Sequence, residues 1–392
     1  MSAVLPAAVV LTAALTLGLL LLLRTRLLAR RATASAYFAA AVAGAVLAGV
    51  WGGPLLSPSP SAAKPVAGGP LLGSLVLGAR QVPVMVVPNR PGYNLVAVGA
   101  PDAWAGTGPD RLAKGERRPG SALTWVPVEL SAGPGRVWVS AGGASAPLAV
   151  DTGRAGGGRA TADVRGADGP ECASAAAGAV VGGDAEPLAG CPADRLAEAD
   201  AAALRETVGF LAGRGARSLG LAEDASPRGR AAAAEVRAAA ARAGISVGKP
   251  DGSRQPLVVT AGWAGADTAV RDVEAGRTTA EGTYLAPWLF TAPLLSPSAG
   301  QLIPLRYAPN SPAAVEYLTA LGSRLPGELP TAAGYEAWRV ARGMAGPAPA
   351  RLYATAVLYV PGSGGSGGHH HEESTSWLPS GMIVPVAGLG TT

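Results

Sequence analysis

Val4 to Leu23 is twenty residues without a charge. As a helix rising about 1.5 Å per residue it reaches about 30 Å, the thickness of a bilayer's hydrocarbon core. This segment therefore decides which solvent the rest of the chain meets. A second apolar run, Ser35 to Trp51, carries Tyr37, Phe38 and Trp51, aromatics of the kind that favour the water interface. Between the two lies RTRLLARR, and positively charged loops stay in the cytoplasm. The pair is expected to form a transmembrane hairpin in the lipid bilayer (helices about 4–23 and 35–51), with the long C-terminal part outside. The competing expectation is a signal peptide. No basic residue precedes Val4, which argues against it, unless RTRLLARR serves as the basic region and 35–51 as the apolar core. Either way the chain is exported. No cysteine follows either segment closely, so a lipoprotein anchor is excluded.

The net charge of +5 does not point to nucleic acid. Arg24, Arg26, Arg30 and Arg31 supply most of it, and residues 52–392 retain 28 basic and 27 acidic side chains. Three lysines against 29 arginines match a GC-rich coding bias rather than selection for arginine chemistry. Glycine and proline, 55 and 34 of 392 residues, approach a quarter of the chain, so irregular joints are expected. Residues 52–70 read as a Pro/Ser/Gly tether and 153–170 as a glycine-rich linker.

Between them, residues 71–152 change character. QVPVMVVPNRPGYNLVAVGA alternates apolar residues on either side of a Pro/Asn/Gly turn, and ALTWVPVEL, GRVWVSAGG and APLAVDTG are further short strand-like runs. Five or more strands in about 80 residues predict a small β-sandwich. VPVMVVPNRPGYNLVAV resembles the turn region of the CopC-like and YtkA-like β-domains of bacterial copper-handling membrane proteins. That resemblance implies a copper site, but residues 71–151 hold no His, no Cys and one Met, Met85, whereas copper takes imidazole, thiolate or thioether ligands. A spacer or a module that docks another membrane or cell-surface protein is expected here instead.

Cys172 and Cys191 are the only cysteines. Outside the cytoplasm two lone thiols this close pair, and the spacing is not that of a CxxC redox motif. From there to residue 360 strands alternate with helices. DRLAEADAAALRETVGFLAGRG is an amphipathic helix and SLGLAED a strand. SPRGRAAAAEVRAAAARAG opens with an N-cap serine and a first-turn proline and closes at Gly244. ISV and PLVVTAGW read as strands, ADTAVRDVEAG as a helix and GTYLAPWLF as another strand. Such alternation predicts βαβ units and a parallel sheet.

This succession, with SPAAVEYLTALGSRLPGELPTAAGYEAWRVARG after it, resembles the second lobe of the type I periplasmic binding proteins of the branched-chain amino acid group. The resemblance covers residues 191–345 and implies a non-catalytic protein that takes a small polar ligand. Most of the first lobe is missing, so the ligand cleft is expected to be incomplete. The fold class predicted is therefore α/β plus all-β: a transmembrane helix pair, a small β-sandwich and an incomplete periplasmic-binding-protein-like α/β domain (residues 171–360) with a parallel sheet. A pocket would form at the carboxyl ends of the strands, which places Glu223, Asp224, Ser226, Trp263 and Trp288 at its edge. Each has an ordinary alternative: Ser226 as a helix cap, Glu223 and Asp224 as solvated loop acids, the tryptophans as core.

Enzyme signatures fail. No GxSxG is present, and GISVGKP misses a phosphate loop by one spacer residue and by a proline at the magnesium-binding position. GSGGSG, Gly362 to Gly367, matches GxGxxG but leads into histidines rather than an apolar helix. All three histidines, His369, His370 and His371, lie in the Gly/His-rich stretch 361–376, so none can partner a buried nucleophile. Beside Glu372 and Glu373 they can bind Cu²⁺, Ni²⁺ or Zn²⁺ weakly, since adjacent residues cannot all face one ion. Capture of copper or zinc by this loop is the alternative function, and a spacer is the plainer one. No other cofactor is expected. The short run and residues 377–392, which follow it and predict a final strand and tail, argue against a purification tag.

Overall fold

Nine short strands open the described part of the chain: β1 (Leu71–Leu77), β2 (Arg80–Val87), β3 (Gly92–Val98), β4 (Trp104–Gly108), β5 (Arg111–Lys114), β6 (Glu116–Arg117), β7 (Thr124–Leu130), β8 (Pro134–Ala141) and β9 (Ala144–Asp151). The structure is a computed structural model that describes residues 66–117, 122–154, 169–184, 186–295, 300–344, 346, 348–357, 376–378 and 381–390. The two apolar segments, the tether up to residue 65 and His369, His370 and His371 lie outside these residues. Among the described residues no helix is long and apolar enough to cross a membrane.

The strands form two sheets, ordered β1-β2-β3-β7-β6 and β5-β4-β8-β9. Alternation explains the packing between them: Val82, Val84, Val86, Val96, Val98, Val126, Val128, Val137, Val139 and Val150 face inward as one core. The turn PNRPGYN is held by its own side chains. Asn89 adopts a positive φ of 59°, which asparagine tolerates, and its amide donates to the Gly69 carbonyl at 2.7 Å. The Asn94 amide donates to the carbonyls of Arg90 and Gly92 at 2.7 and 2.9 Å.

The opposite face of the five-stranded sheet is also covered. Met85, Val87, Leu95, Ala97, Leu123 and Trp125 belong to the same buried cluster as the helices that follow. Strands buried on both faces read as nearly continuous apolar runs, which is why VPVMVV lacks clean alternation. Met85 is fully buried there. The sandwich and the α/β layers accordingly belong to one unit, Lys64–Thr392.

That second part contains α1 (Gly169–Gly182), α2 (Glu198–Gly213), β10 (Ser218–Ala222), α3 (Pro227–Arg242), β11 (Ser246–Gly248), β12 (Gln255–Val259), α4 (Trp263–Glu274), β13 (Ala280–Leu285), β14 (Gln301–Leu305), α5 (Pro312–Arg324), α6 (Ala332–Ala341), β15 (Arg351–Val357) and β16 (Gly381–Gly388). Its sheet runs β11-β10-β12-β13-β14-β15-β16. The first five strands are parallel, as βαβ alternation predicts, but β15 and β16 are antiparallel, so the sheet is mixed rather than purely parallel. GTYLAPWLF is a strand only as far as Leu285; Pro287, which has no amide hydrogen for the ladder, opens a 3₁₀ turn to Leu289.

Two further features hold the cavity described below in place. α1 crosses α6 with glycines at the contact: a Cβ on Gly178 would fall against the Gly334 carbonyl, well inside van der Waals distance, and one on Gly182 would meet Ala341 at 2.7 Å. Cys172 in α1 is disulfide-bonded to Cys191, as expected from their isolation in the sequence. An aromatic cluster of Phe290, Tyr307, Tyr317, Tyr335, Trp338 and Trp377 ties the end of the chain to α5 and α6, with the Trp377 indole donating to the Pro309 carbonyl at 3.0 Å.

Candidate functional site

Among the five parallel strands the order reverses between β10 and β12, and in such sheets the crevice at that switch point is where ligands sit. Here the Asp224 side chain bonds across to the loop after β12. One Asp224 oxygen accepts from the Ser226 amide at 3.0 Å and the Ser226 hydroxyl at 2.6 Å; the other accepts from the Gly262 amide at 2.6 Å. Burial opposes ionisation of Asp224, but these bonds outweigh it and hold the carboxyl below its usual range. Ser226 is the N-cap of α3, accepting from the Gly229 amide at 2.9 Å. Glu223 turns away to a two-point ion pair with Arg237, which lowers its pKa through the guanidinium hydrogen bond. Trp263 opens α4 and packs half-buried on the core. Of the five residues predicted at the pocket edge, Trp288 is in the lining of the cavity described next.

That cavity lies two strands further along, at the carboxyl ends of β13 and β14, and has a volume of about 790 Å³. Its walls come from α1 (Glu171, Ala175, Ala179), the disulfide-tied segment 184–197, the start of α2 (Asp200), Pro287 and Trp288, the end of β14 (Leu305 to Tyr307), and α6 (Ala333, Glu336, Ala337). Alanines dominate the helical faces, which leaves room for a ligand that larger side chains would occupy.

Its charged groups are graded by burial. Arg228, in the first turn of α3, is 3 % exposed and donates from both terminal nitrogens, each at 2.7 Å, to Glu171, which is 0 % exposed. It also reaches the Pro192 carbonyl at 3.3 Å and stacks 4.6 Å above the Trp288 ring. The Trp288 indole donates to the Ala261 carbonyl at 3.2 Å, so the platform under the guanidinium is itself fixed. Such a planar two-point pair survives burial because both charges are neutralised in place.

Asp200 has no such match. Its carboxylate accepts no hydrogen bond from any described residue. Burial raises its pKa from 3.8 to about 6, opposed by the charges of Arg228 and Arg306 and reinforced by those of Glu171 and Glu336. It keeps part of its surface open to the cavity while protein surrounds it on other sides. The Tyr307 ring packs in the aromatic cluster against Phe290, Tyr335 and Trp377; its phenol oxygen is buried with no hydrogen-bond partner, and burial holds its pKa well above the ordinary tyrosine value. Arg306 donates its Nε to the Ala348 carbonyl at 3.3 Å, and Glu336 pairs with Arg339 at 3.0 Å.

Residue patterns along the chain did not single out Glu171, Asp200, Arg228, Arg306 or Tyr307. Asp200 looks like an ordinary first-turn acid favoured by the helix dipole. Arg228 did carry a signal: a cation in the first turn of α3, with no acid there, opposes the dipole and needs a counter-charge from elsewhere. Among the described residues no group of three or more His, Cys, Asp or Glu side chains is arranged to hold a metal ion.

No family model matches the chain, and no curated protein does. Solved structures match it in part. An extracellular ligand-binding receptor from Verminephrobacter eiseniae is 15 % identical over 38 % of this chain and 50 % of its own, with a TM-score of 0.30. An ABC transporter substrate-binding protein from Desulfitobacterium hafniense, in complex with Leu, is 14 % identical over 40 % of this chain and 62 % of its own, with a TM-score of 0.27. A branched chain amino acid ABC transporter periplasmic ligand-binding protein from Burkholderia xenovorans LB400 is 11 % identical over 48 % of this chain and 63 % of its own, with a TM-score of 0.30. The chain thus spans 50 to 63 % of the length of these three, and its similarity is to a part of each of these ligand-binding proteins.

Proposed function

We propose that this is a membrane-tethered, extracytoplasmic, non-catalytic binding protein that holds a small polar ligand in the cavity between α1, α6 and the carboxyl ends of β13 and β14. The carrying observation is the pairing of an apolar-walled cavity of about 790 Å³ with a carboxylate in its lining, Asp200, that accepts no hydrogen bond from any described residue. Ligand pockets combine a few hundred to a thousand cubic ångströms of mostly apolar wall with a small number of placed polar groups. Placement outside the cytoplasm is supported by the Val4–Leu23 run and by that disulfide.

A thermal-shift screen of full-length protein against small polar metabolites tests the binding function, with Ala337→Trp as the blocked control. A ligand at about a hundredfold its Kd stabilises the folded state by roughly 2.7 kcal/mol, and the rise in Tm should vanish in the variant. Circular dichroism checks that the variant folds; Ala333→Leu, at a neighbouring wall position, replaces it if the ring is not accommodated. A screen with no hit, or equal shifts in wild type and blocked protein, would refute binding at this cavity. A reporter fused after residue 60 that is active in the cytoplasm would refute the placement.

A further inference from the structure

We infer that the outer face of the sheet β5-β4-β8-β9 docks on an anionic lipid surface, with Trp104 and Trp138 at headgroup level. This rests on the membrane tether proposed above and does not involve the cavity. Ala103, Ala105, Val137, Val139 and Val150 point into the sandwich core, so the residues that alternate with them face outward. Trp104 lies opposite Ser140 and Trp138 opposite Gly106, which sets the two indoles diagonally across β4 and β8, about 7–8 Å apart at Cα. Trp104 is 41 % exposed, whereas Trp125, Trp288, Trp338 and Trp377 are buried. Leu112, opposite Gly106, and Pro147, opposite Trp138, carry the apolar surface to both edges of the sheet.

Charge singles out the partner. Lys114 stands opposite Trp104, Arg136 lies two residues before Trp138 on the same face, and both are exposed. Among the described residues of these four strands the one outward-facing acid is Asp151, at the end of β9, whose carboxylate accepts from the Gly153 amide at 3.0 Å. Indoles prefer the headgroup level of a bilayer, and lysine and arginine beside them match anionic lipid in sign. A glycan would need placed groups for its hydroxyls, and this face carries no Asn or Gln, only Ser140 and Ser145 opposite one another. The chain's entry fits the same partner. The described residues begin at Val66, and the Gly68 amide donates to the Asp151 carbonyl at 2.8 Å, so the chain joins this sheet at β9. Fourteen residues separate Trp51 from Val66 and span at most about 50 Å. That short leash raises the effective concentration of the face at the bilayer.

Full-length protein in nanodiscs of zwitterionic lipid, or of the same lipid mixed with phosphatidylglycerol, tests this, with brominated acyl chains as quencher of tryptophan fluorescence. The signal is the quenching that Trp104→Phe abolishes. In anionic discs at low salt it should exceed that in zwitterionic discs at least about fivefold, and about 0.5 M salt should remove most of it. Lys114→Gln with Arg136→Gln should lower the docked-to-free ratio about 25-fold, since each cation near an anionic surface contributes about fivefold. Both are exposed, and an unchanged circular dichroism spectrum confirms the fold. Equal quenching in the two lipids, or none in anionic discs, would overturn the lipid face. A Trp104-dependent emission shift with soluble heparin, without quenching by anionic discs, would also overturn it and assign the face to a glycan. Protein that does not float with the discs removes the tether and this inference together; protein that floats without Trp104-dependent quenching removes the inference alone.

Discussion

Replacing Asp200 with asparagine should stabilise the unliganded protein at neutral pH, although the substitution removes a charge that two arginines attract. The folded pKa of about 6 lies above the ordinary 3.8, so between about pH 4 and pH 6 the folded chain keeps a proton that the unfolded chain gives up. Stability contributed by this group is therefore fully present below the unfolded value and is lost as pH rises through the folded one. The rise corresponds to about 3 kcal/mol against the charged form above pH 6. Asparagine removes that term but introduces an amide with no hydrogen-bond partner in the fold, costing about 1 kcal/mol. The net expectation is a gain of about 2 kcal/mol near pH 7.5, or roughly 4 °C in Tm for a chain of this size. Near pH 4, where wild-type Asp200 is protonated in the folded state, the variant should be slightly the weaker of the two. Thermal unfolding followed by circular dichroism at half-unit steps of pH would locate the crossing. A variant destabilised at pH 7.5, or a gap independent of pH, would refute the claim that Asp200 is an unmatched charge facing the cavity.

The matched charge beside it should behave in the opposite way. Arg228→Met strips the guanidinium from the wholly buried Glu171 and should cost about 3–5 kcal/mol in urea unfolding, whereas adding Glu171→Gln to it should recover a large part of the loss. Equal stability of the single and double variants would mean that the pair is not the counter-ion arrangement described. Gly178→Val should force α1 and α6 apart at the Gly334 carbonyl and cost several kcal/mol, with loss of near-ultraviolet ellipticity from the aromatic cluster; a wild-type melting curve would refute the close crossing.

Local chemistry carried a good deal of the fold into view from residue patterns. Ser226 and Pro227 announce the start of α3 because a hydroxyl at that position accepts from an amide three residues on, whatever lies around it. The Asn89–Asn94 turn reads the same way. Strand order placed the expected crevice at the switch point, where the Asp224 side chain accepts a hydrogen bond from the Gly262 amide, 38 residues away. Nothing along the chain distinguishes an aspartate that binds a guest from one that binds the neighbouring loop.

What the sequence by itself determined is what periodicity and near-neighbour hydrogen bonding control: strands that alternate, helices with their caps and stops, and two cysteines with no other partner to choose. The tertiary structure alone decided where the cavity opens and which charge stands unmatched in it. Glu171 meets Arg228 across 57 residues, and Asp200 is raised by its burial and by groups on α1, α3, α6 and the end of β14. Burial and electrostatic environment are sums over neighbours brought together from distant parts of the chain, and those neighbours exist only once the helices have packed.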